Sequence, residues 1–360
     1  MKLLLIVGAR PNFIKVAPLV HAIRAHRGTA IEYKLVHTGQ HYDEKMSDIF
    51  FRELGIPAPD VNLGVGSGSH ARQTAAVMTS FEPVVTAEKP DYVVVFGDVN
   101  STVACALVAT KLGIKVAHVE AGLRSYDRTM PEEINRVVTD AISDPLLTPS
   151  ADANENLQKE GIPESRVKLV GNIMIDALVA NLPRARDSRI LGELGVTQHA
   201  YAYVTLHRPS NVDDVGNLAR IADELKRLGG TMPVIFPVHP RTRKQLSETE
   251  ALNGKSGIRF LEPLGYHDSL CLAESARLVI TDSGGLQEET TFFRTPCLTL
   301  RPNTERPITI SVGSNRLTSM EQLREDIERI LAKEGRLGDL PPLWDGKTAA
   351  RILHELILRR

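Results

Sequence analysis

The chain has 360 residues, a length that at about 150 residues per domain points to two domains. Apolar residues make up 42% and charged residues 24%, and the 21 prolines and 26 glycines are spread along the chain, which excludes a disordered or fibrous protein. Subtracting 44 acidic from 43 basic side chains leaves a net charge of −1. No global field therefore draws in nucleic acid or an anionic membrane, and an anionic ligand must be held by a local pocket.

The first apolar run, 3–7, lies behind Lys2 and is far shorter than a secretory core or the roughly 20 residues of a membrane span. A cytoplasmic protein is expected. Short runs of Val, Ile and Leu then alternate with longer amphipathic stretches, the pattern of parallel strands covered by helices on both faces. Strands are expected at 3–7, 32–37, 92–96, 115–119, 146–148 and 167–170. The pattern restarts at 201–205, 234–238, 258–260, 278–281 and 297–300, with helices such as 217–228 between and a closing helix at 348–358. The fold class is α/β, with two doubly wound, Rossmann-like parallel-sheet domains. The first domain covers 1–170, with the helix at 348–360 available to complete it, and the second covers 171–347. The linker is expected at 170–180. Ligands of open parallel sheets bind beyond the carboxyl ends of the strands, so the site is expected in a cleft that both domains face.

The polar motifs sit at those strand ends. The run GARPNFIK (8–15) is a glycine turn and helix start with Arg10 and Lys15, either an anion cradle or a plain strand-to-helix turn. No G-x-G-x-x-G occurs, so no nicotinamide cofactor is expected. Asp98 in GDVNST (97–102) and Glu120 in HVEAGLRS (118–125) leave neighbouring strands at equivalent points. Together they suit acid and base work. Separately, Asp98 would cap the next helix and Glu120 would pair with Arg124. In MPEEINR (130–136), Pro and two acids open a helix as its dipole favours, and the position after the Glu120 loop makes Glu132 a third candidate. HRPSN (207–211) and PVHPRT (237–242) offer His207 with Arg208, and His239 with Arg241, as phosphate or leaving-group binders. In TDSGGLQEE (281–289) the turn Ser283, Gly284, Gly285 frees backbone amides for a diphosphate, and an acidic residue further into the helix can reach ribose hydroxyls. A plain helix cap is the alternative. In NTERP (303–307), Arg306 is placed to close over phosphates. The cysteines Cys105, Cys271 and Cys297 are far apart in apolar surroundings and read as buried structural thiols. No metal-binding spacing appears, and no metal is expected.

These motifs, together with HTGQHYD (37–43) and GNIMID (171–176), run in order over essentially the whole chain. With them the sequence closely resembles the non-hydrolysing UDP-N-acetylglucosamine 2-epimerases, a family with the two-domain glycosyltransferase-B type fold. The resemblance implies inversion at C2 of UDP-N-acetylglucosamine to give UDP-N-acetylmannosamine for cell-surface polysaccharide synthesis. UDP would be eliminated to an enzyme-held 2-acetamidoglucal and then re-added, without a cofactor, by a homodimer. It implies Asp98, Glu120 and Glu132 as the acid/base carboxylates and His207 at the sugar-diphosphate junction. Arg10, Lys15 and Arg306 would meet phosphate, the amides of Ser283, Gly284 and Gly285 the diphosphate, and Glu289 the ribose. Arg208 and His239 join the substrate-binding set, and Leu264 to Ser269 form the uracil pocket. Asn12, Ser210 and Ile308 replace glutamates common in the family. Ser269 stands where many members place an aromatic ring, with Tyr266 available to supply one. Gln40 and His41 match a loop that binds an activating second substrate in some bacterial members, while Tyr42 and Asp43 differ. Rival readings are 2-epimerisation of a UDP-diacetamido uronic acid, glycosyl transfer on the same fold, and a catalytically silent nucleotide-sugar sensor.

Overall fold

The computed structural model describes residues 1–28, 30–39, 54–238, 240–247, 257–332 and 338–360. The chain divides into two compact units, one of Met1–Ala177 with Pro342–Arg360 and one of Leu178–Pro341. It passes from the first to the second within the helix Ile173–Arg186.

In the first unit, strands β1 (Lys2–Val7), β2 (Glu32–His37), β3 (Val61–Asn62), β4 (Tyr92–Phe96), β5 (Lys115–Val119), β6 (Leu146–Thr148) and β7 (Val167–Leu169) form one sheet. Their order is β3-β2-β1-β4-β5-β6-β7, and every pairing is parallel. Alternate residues of the apolar runs serve two cores. Leu3, Leu5 and Val7 join Tyr92, Val94 and Phe96 on one face, while Leu4 and Ile6 join Val93 and Val95 on the other. A sheet buried on both faces has no solvent side, which is why its strands read as unbroken apolar runs. The first face is covered by helix Arg10–Ala25 through Phe13, Val16 and Val20, and by helix Thr348–Leu358 through Ile352, Leu353 and Leu356. The returning helix is held at its start by Asp176, whose carboxylate accepts from the backbone of Thr348 at 3.0 Å and Ala349 at 2.7 Å.

The second unit repeats the plan with β8 (Ala202–Thr205), β9 (Val234–Pro237), β10 (Ile258–Leu261), β11 (Leu278–Thr281), β12 (Cys297–Leu300) and β13 (Asn315–Thr318), ordered β10-β9-β8-β11-β12-β13 and all parallel. Helix Val215–Gly229 packs Leu218, Ile221 and Leu225 on one face, and helix Tyr266–Ser275 packs Cys271 and Leu272 on the other. The fold is thus the expected pair of doubly wound parallel sheets of the glycosyltransferase-B type. Its expected strands are matched to within a residue at either end, and β3 and β13 are additions. In each sheet the order reverses once, between β1 and β4 and between β8 and β11, and ligands of such sheets gather beyond the strand ends at that reversal. Cys105, Cys271 and Cys297 are buried free thiols. Burial pushes all three thiols up, Cys297 to about 11. Among the described residues no helix is long and apolar enough to cross a membrane.

Candidate functional site

Beyond the β1/β4 reversal the first unit gathers its charged side chains. Asn12 closes the turn into helix Arg10–Ala25: its Oδ1 accepts from the amides of Gly8 (3.2 Å) and Ala9 (3.1 Å), and its Nδ2 donates to the Phe96 carbonyl (3.0 Å). A carboxylate could not make that last bond, so the asparagine ties β1 to β4 in a way glutamate would not. One turn on, Lys15 reaches across Gly97 to form a buried ion pair with Glu120. Gly97 is required there. Its φ is +64°, and a Cβ would lie 2.8 Å from the Lys15 ammonium. Glu120 itself holds a φ of +74°, a strained conformation for a residue with a side chain.

The Asp98 loop is fixed from two sides. Arg136, on helix Pro131–Ile142, donates to Asp98 Oδ2 through Nε at 2.9 Å and Nη2 at 2.8 Å, while Asn135 donates to the Asp98 carbonyl at 2.8 Å. Beneath it, His118 bridges Asp140 (2.7 Å) and the Gly97 carbonyl (2.8 Å). Burial alone would push the Asp140 carboxyl up, but the charges and hydrogen bonds of His118 and Arg124 hold it below the usual range. Arg124 pairs with Asp140 at 2.7 Å and with both oxygens of Glu160 at 2.7 Å. The alternatives weighed for the two carboxylates therefore do not occur: Asp98 turns to Arg136 rather than capping, and Glu120 turns to Lys15 rather than Arg124. The adjacent glutamates of MPEEINR also separate. Glu133 is buried, bonded to Arg136 and to the backbone of Ser125 (3.0 Å) and Tyr126 (2.9 Å). Glu132 is half-buried, one turn before Arg136 on the same helix, where i and i+4 share a face.

At the β8/β11 reversal of the second unit, Thr205 and Thr281 join their hydroxyls at 2.8 Å, and a cluster of polar and charged residues follows each strand. His207 is 62% exposed at its side chain, yet its Nδ1 lies 2.9 Å from Asp282, which is 0% exposed. The same carboxylate accepts from the His207 amide at 3.1 Å, the Arg208 amide at 2.9 Å and Asn211 Nδ2 at 2.9 Å. Burial alone would push Asp282 up, and these bonds, led by His207, hold it below the usual range. Ser283, Gly284 and Gly285 then open helix Gly284–Phe293, whose first-turn amides have no partner within the helix. Arg306 lies over that turn. A Cβ on Gly284 would be 2.8 Å from its Nη1, and its guanidinium pairs with Glu288 at 2.8 Å and with Glu305. Glu289 is buried in the same helix. Burial first, then the neighbouring Glu288 charge, push its carboxyl up to about 8, and the Tyr266 hydroxyl opposes them. Tyr203 donates to or accepts from Ser269 at 2.9 Å, and Leu264 packs in the core that holds Tyr203, so Leu264, Ser269, Tyr266 and Glu289 form one neighbourhood.

Within the first unit Lys15 and Glu120 pair beside Gly97, next to Asp98, while Glu132 is placed only by its helix turn before Arg136, and within the second His207, Arg208, Ser283, Gly284, Gly285 and Arg306 come together. His239, Gln40, His41, Tyr42, Asp43 and the Arg10 side chain lie outside the described residues. Sequence reasoning missed Arg136, His118, Asp140, Asp282, Asn211, Glu288 and Glu305. Only Arg136 left a usable signal, its i, i+4 spacing from Glu132. Among the described residues no group of three or more His, Cys, Asp or Glu side chains is placed to hold a metal ion.

Residues 22–357 match the family described as UDP-N-acetylglucosamine 2-epimerase. A protein of that name from Methanocaldococcus jannaschii is 44% identical over 366 residues, covering 99% of each chain. A Pseudomonas aeruginosa protein named UDP-2,3-diacetamido-2,3-dideoxy-D-glucuronate 2-epimerase is 40% identical over 346 residues, 94% of this chain and 95% of that one. The crystal structure of Methanocaldococcus jannaschii UDP-GlcNAc 2-epimerase in complex with UDP-GlcNAc and UDP is similar at a TM-score of 0.86 with 43% identity, covering 99% of this chain and 100% of that one. Sequence, fold and strand-end chemistry agree along nearly the whole chain, and the protein belongs to the UDP-N-acetylglucosamine 2-epimerase family.

Proposed function

We propose that the protein inverts C2 of UDP-N-acetylglucosamine to give UDP-N-acetylmannosamine by eliminating and re-adding UDP. The observation that carries this reading is the set of carboxylates at the ends of β4, β5 and the following helix, with Asp98 and Glu120 each held by a cation. Glycosyl transfer needs no such set, whereas removing a weakly acidic C2 hydrogen on one face and returning it on the other needs a base and an acid. In the forward step a carboxylate takes the C2 proton, the C–H electrons form the C1–C2 double bond, and the C1–O bond breaks with its pair on the β-phosphate oxygen. The acid and base are drawn from Asp98, Glu120 and Glu132. Lys15 holds its positive charge beside the Glu120 carboxylate, and Arg136 keeps Asp98 aimed.

Departing UDP carries about two negative charges, and stabilising them lowers the barrier. The amides of Gly284 and Gly285 at a helix start are suited to that, while the Ser283 amide donates to Thr281 Oγ1 at 3.0 Å and would have to share that bond with the diphosphate; Arg306, Arg10, Arg208 and His239 are further partners, and His207 stands at the sugar-diphosphate junction. Glu289 takes the ribose, and the Leu264 to Ser269 segment with Tyr266 takes the uracil. The reading includes a cytoplasmic enzyme and a homodimer, the latter checked by light scattering on a sizing column.

The deciding experiment is incubation with UDP-N-acetylglucosamine in heavy water, followed by NMR at C2. Deuterium at C2 in an equilibrating pair of epimers is expected, and UDP binding with no exchange from this sugar or from the diacetamido uronic acid below would leave only a sensor. The Pseudomonas relative's name makes the diacetamido uronic acid the substrate to run beside it. That sugar carries a carboxylate which needs its own cation, so faster turnover of it would move the assignment.

A further inference from the structure

The carboxylate of Asp282 belongs to none of the groups assigned to the substrate, and its placement is costly. It is fully buried, where an ionised group is tolerated only with its lone pairs satisfied. Four donors satisfy it, and all four come from the segment 207–211 that it faces: the His207 amide, the Arg208 amide, Asn211 Nδ2 and His207 Nδ1. Asn211 also donates to the Leu300 carbonyl at 3.1 Å, tying the loop to the end of β12. An ionised carboxylate can only accept, so the ring proton must sit on Nδ1. Nε2, on the opposite side of a mostly exposed ring, has no partner among the described residues.

We propose that Asp282 is a positioning residue of the reaction, fixing the His207 ring with a proton on Nδ1 so that Nε2 alone exchanges a proton with the departing sugar-diphosphate oxygen. In elimination the ring starts with hydrogen on both nitrogens, Nε2–H passes its proton to the β-phosphate oxygen as the C1–O bond breaks, and the neutral ring is left with its hydrogen on Nδ1 against Asp282. In re-addition the same oxygen returns it while attacking C1. This rests on the assignment of His207 to the sugar-diphosphate junction.

The substitution Asp282→Asn keeps the shape and inverts the tautomer. The single amide oxygen must serve the backbone donors, which turns the amide NH2 toward Nδ1 and makes that nitrogen an acceptor. The proton then sits on Nε2, and the ring can no longer take a second one without opposing two donors. The analogous change in other His–Asp pairs costs orders of magnitude in turnover.

The test combines NMR with kinetics. In the enzyme labelled with 15N-histidine, the His207 correlation pattern is expected to show hydrogen on Nδ1, and in Asp282→Asn hydrogen on Nε2 alone. Asp282→Asn is expected to lower kcat by ~10²-fold or more with KM and UDP affinity within about threefold. The double variant with His207→Asn should be no slower than the slower single variant, because paired residues acting as a unit are non-additive. A wild-type ring protonated only on Nε2, near-normal turnover of Asp282→Asn, or a double variant whose loss is the product of the singles overturns the proposal. Near-normal turnover of His207→Asn defeats instead the role given to His207 above. Should Asp282→Asn fail to fold, the wild-type spectrum still decides. Asn211→Ala, which removes one donor to Asp282, then carries the kinetic arm with an expected loss of ~3- to 10-fold in kcat, and unchanged kcat in it also counts against the proposal.

Discussion

Glu289 holds its proton in a place where most glutamates have lost theirs. Unfolded, the side chain ionises near its ordinary value of about 4.3, while in the folded chain burial and Glu288 push it up to about 8. Between those values the folded state binds more protons, so stability must fall as pH rises through that window and level off above it. Glu289→Gln removes the titration. Its unfolding free energy relative to wild type should therefore rise between pH 5 and pH 9 by on the order of a few kcal/mol, read from urea unfolding at both pH values. A constant difference would show that Glu289 is ionised throughout. For the reacting groups, Asp98→Asn, Glu120→Gln and His207→Asn should each lower kcat by at least ~10²-fold with modest loss of UDP affinity. Near-normal turnover in any one removes that residue from its role. Several of the residues that touch substrate in this reading, among them Asp98, Glu120 and His207, were legible because they come just after an apolar run, where a charge has no packing purpose. Asp282 was not legible, since T-D-S-G-G before a helix equally describes a cap, and the loop it holds lies some 75 positions earlier.

At the scale of elements, helix Pro131–Ile142 acts as the clamp of the first unit's site. Its Arg136 holds Asp98 on one side and buried Glu133 on the other, and Glu133 in turn fixes the Ser125–Tyr126 backbone. Arg136→Met leaves a buried carboxylate without its cation, so it should cost about 3–5 kcal/mol of unfolding free energy and at least ~10-fold in kcat. Arg136→Lys should recover stability better than activity, because an ammonium is a point charge and cannot fork between two acids. Equal recovery of both would mean that Asp98 needs only charge and not aim. Strands inside the sheets could be read from sequence because both their faces are buried. Of the four edge strands, β7 and β10 could be read and β3 and β13 could not. β3 is two residues long, and β13, Asn-Arg-Leu-Thr, contains a single apolar side chain, since an edge gains little from apolar packing and is commonly kept short or polar.

At the scale of the molecule, the first unit is built from two stretches of chain separated by the whole of the second. Helix Thr348–Leu358 contributes Ala349, Ile352, Leu353 and Leu356 to the first unit's core. At about 1.5–3 kcal/mol per buried apolar side chain, three or four of them rival the entire stability of an ordinary domain. A chain ending at residue 341 should therefore lose cooperative unfolding and amide protection in the first unit while the second keeps its own, measured by hydrogen exchange. Retained protection in β1 and β4 would show that the helix is dispensable. During synthesis the same arrangement sets a schedule. The ribosome delivers the second unit complete while the first still lacks the helix Thr348–Leu358, so the ends of β4 and β5 cannot settle until that helix has emerged, and a nascent chain stalled before that point would have its second unit folded while the first still waits for part of its core.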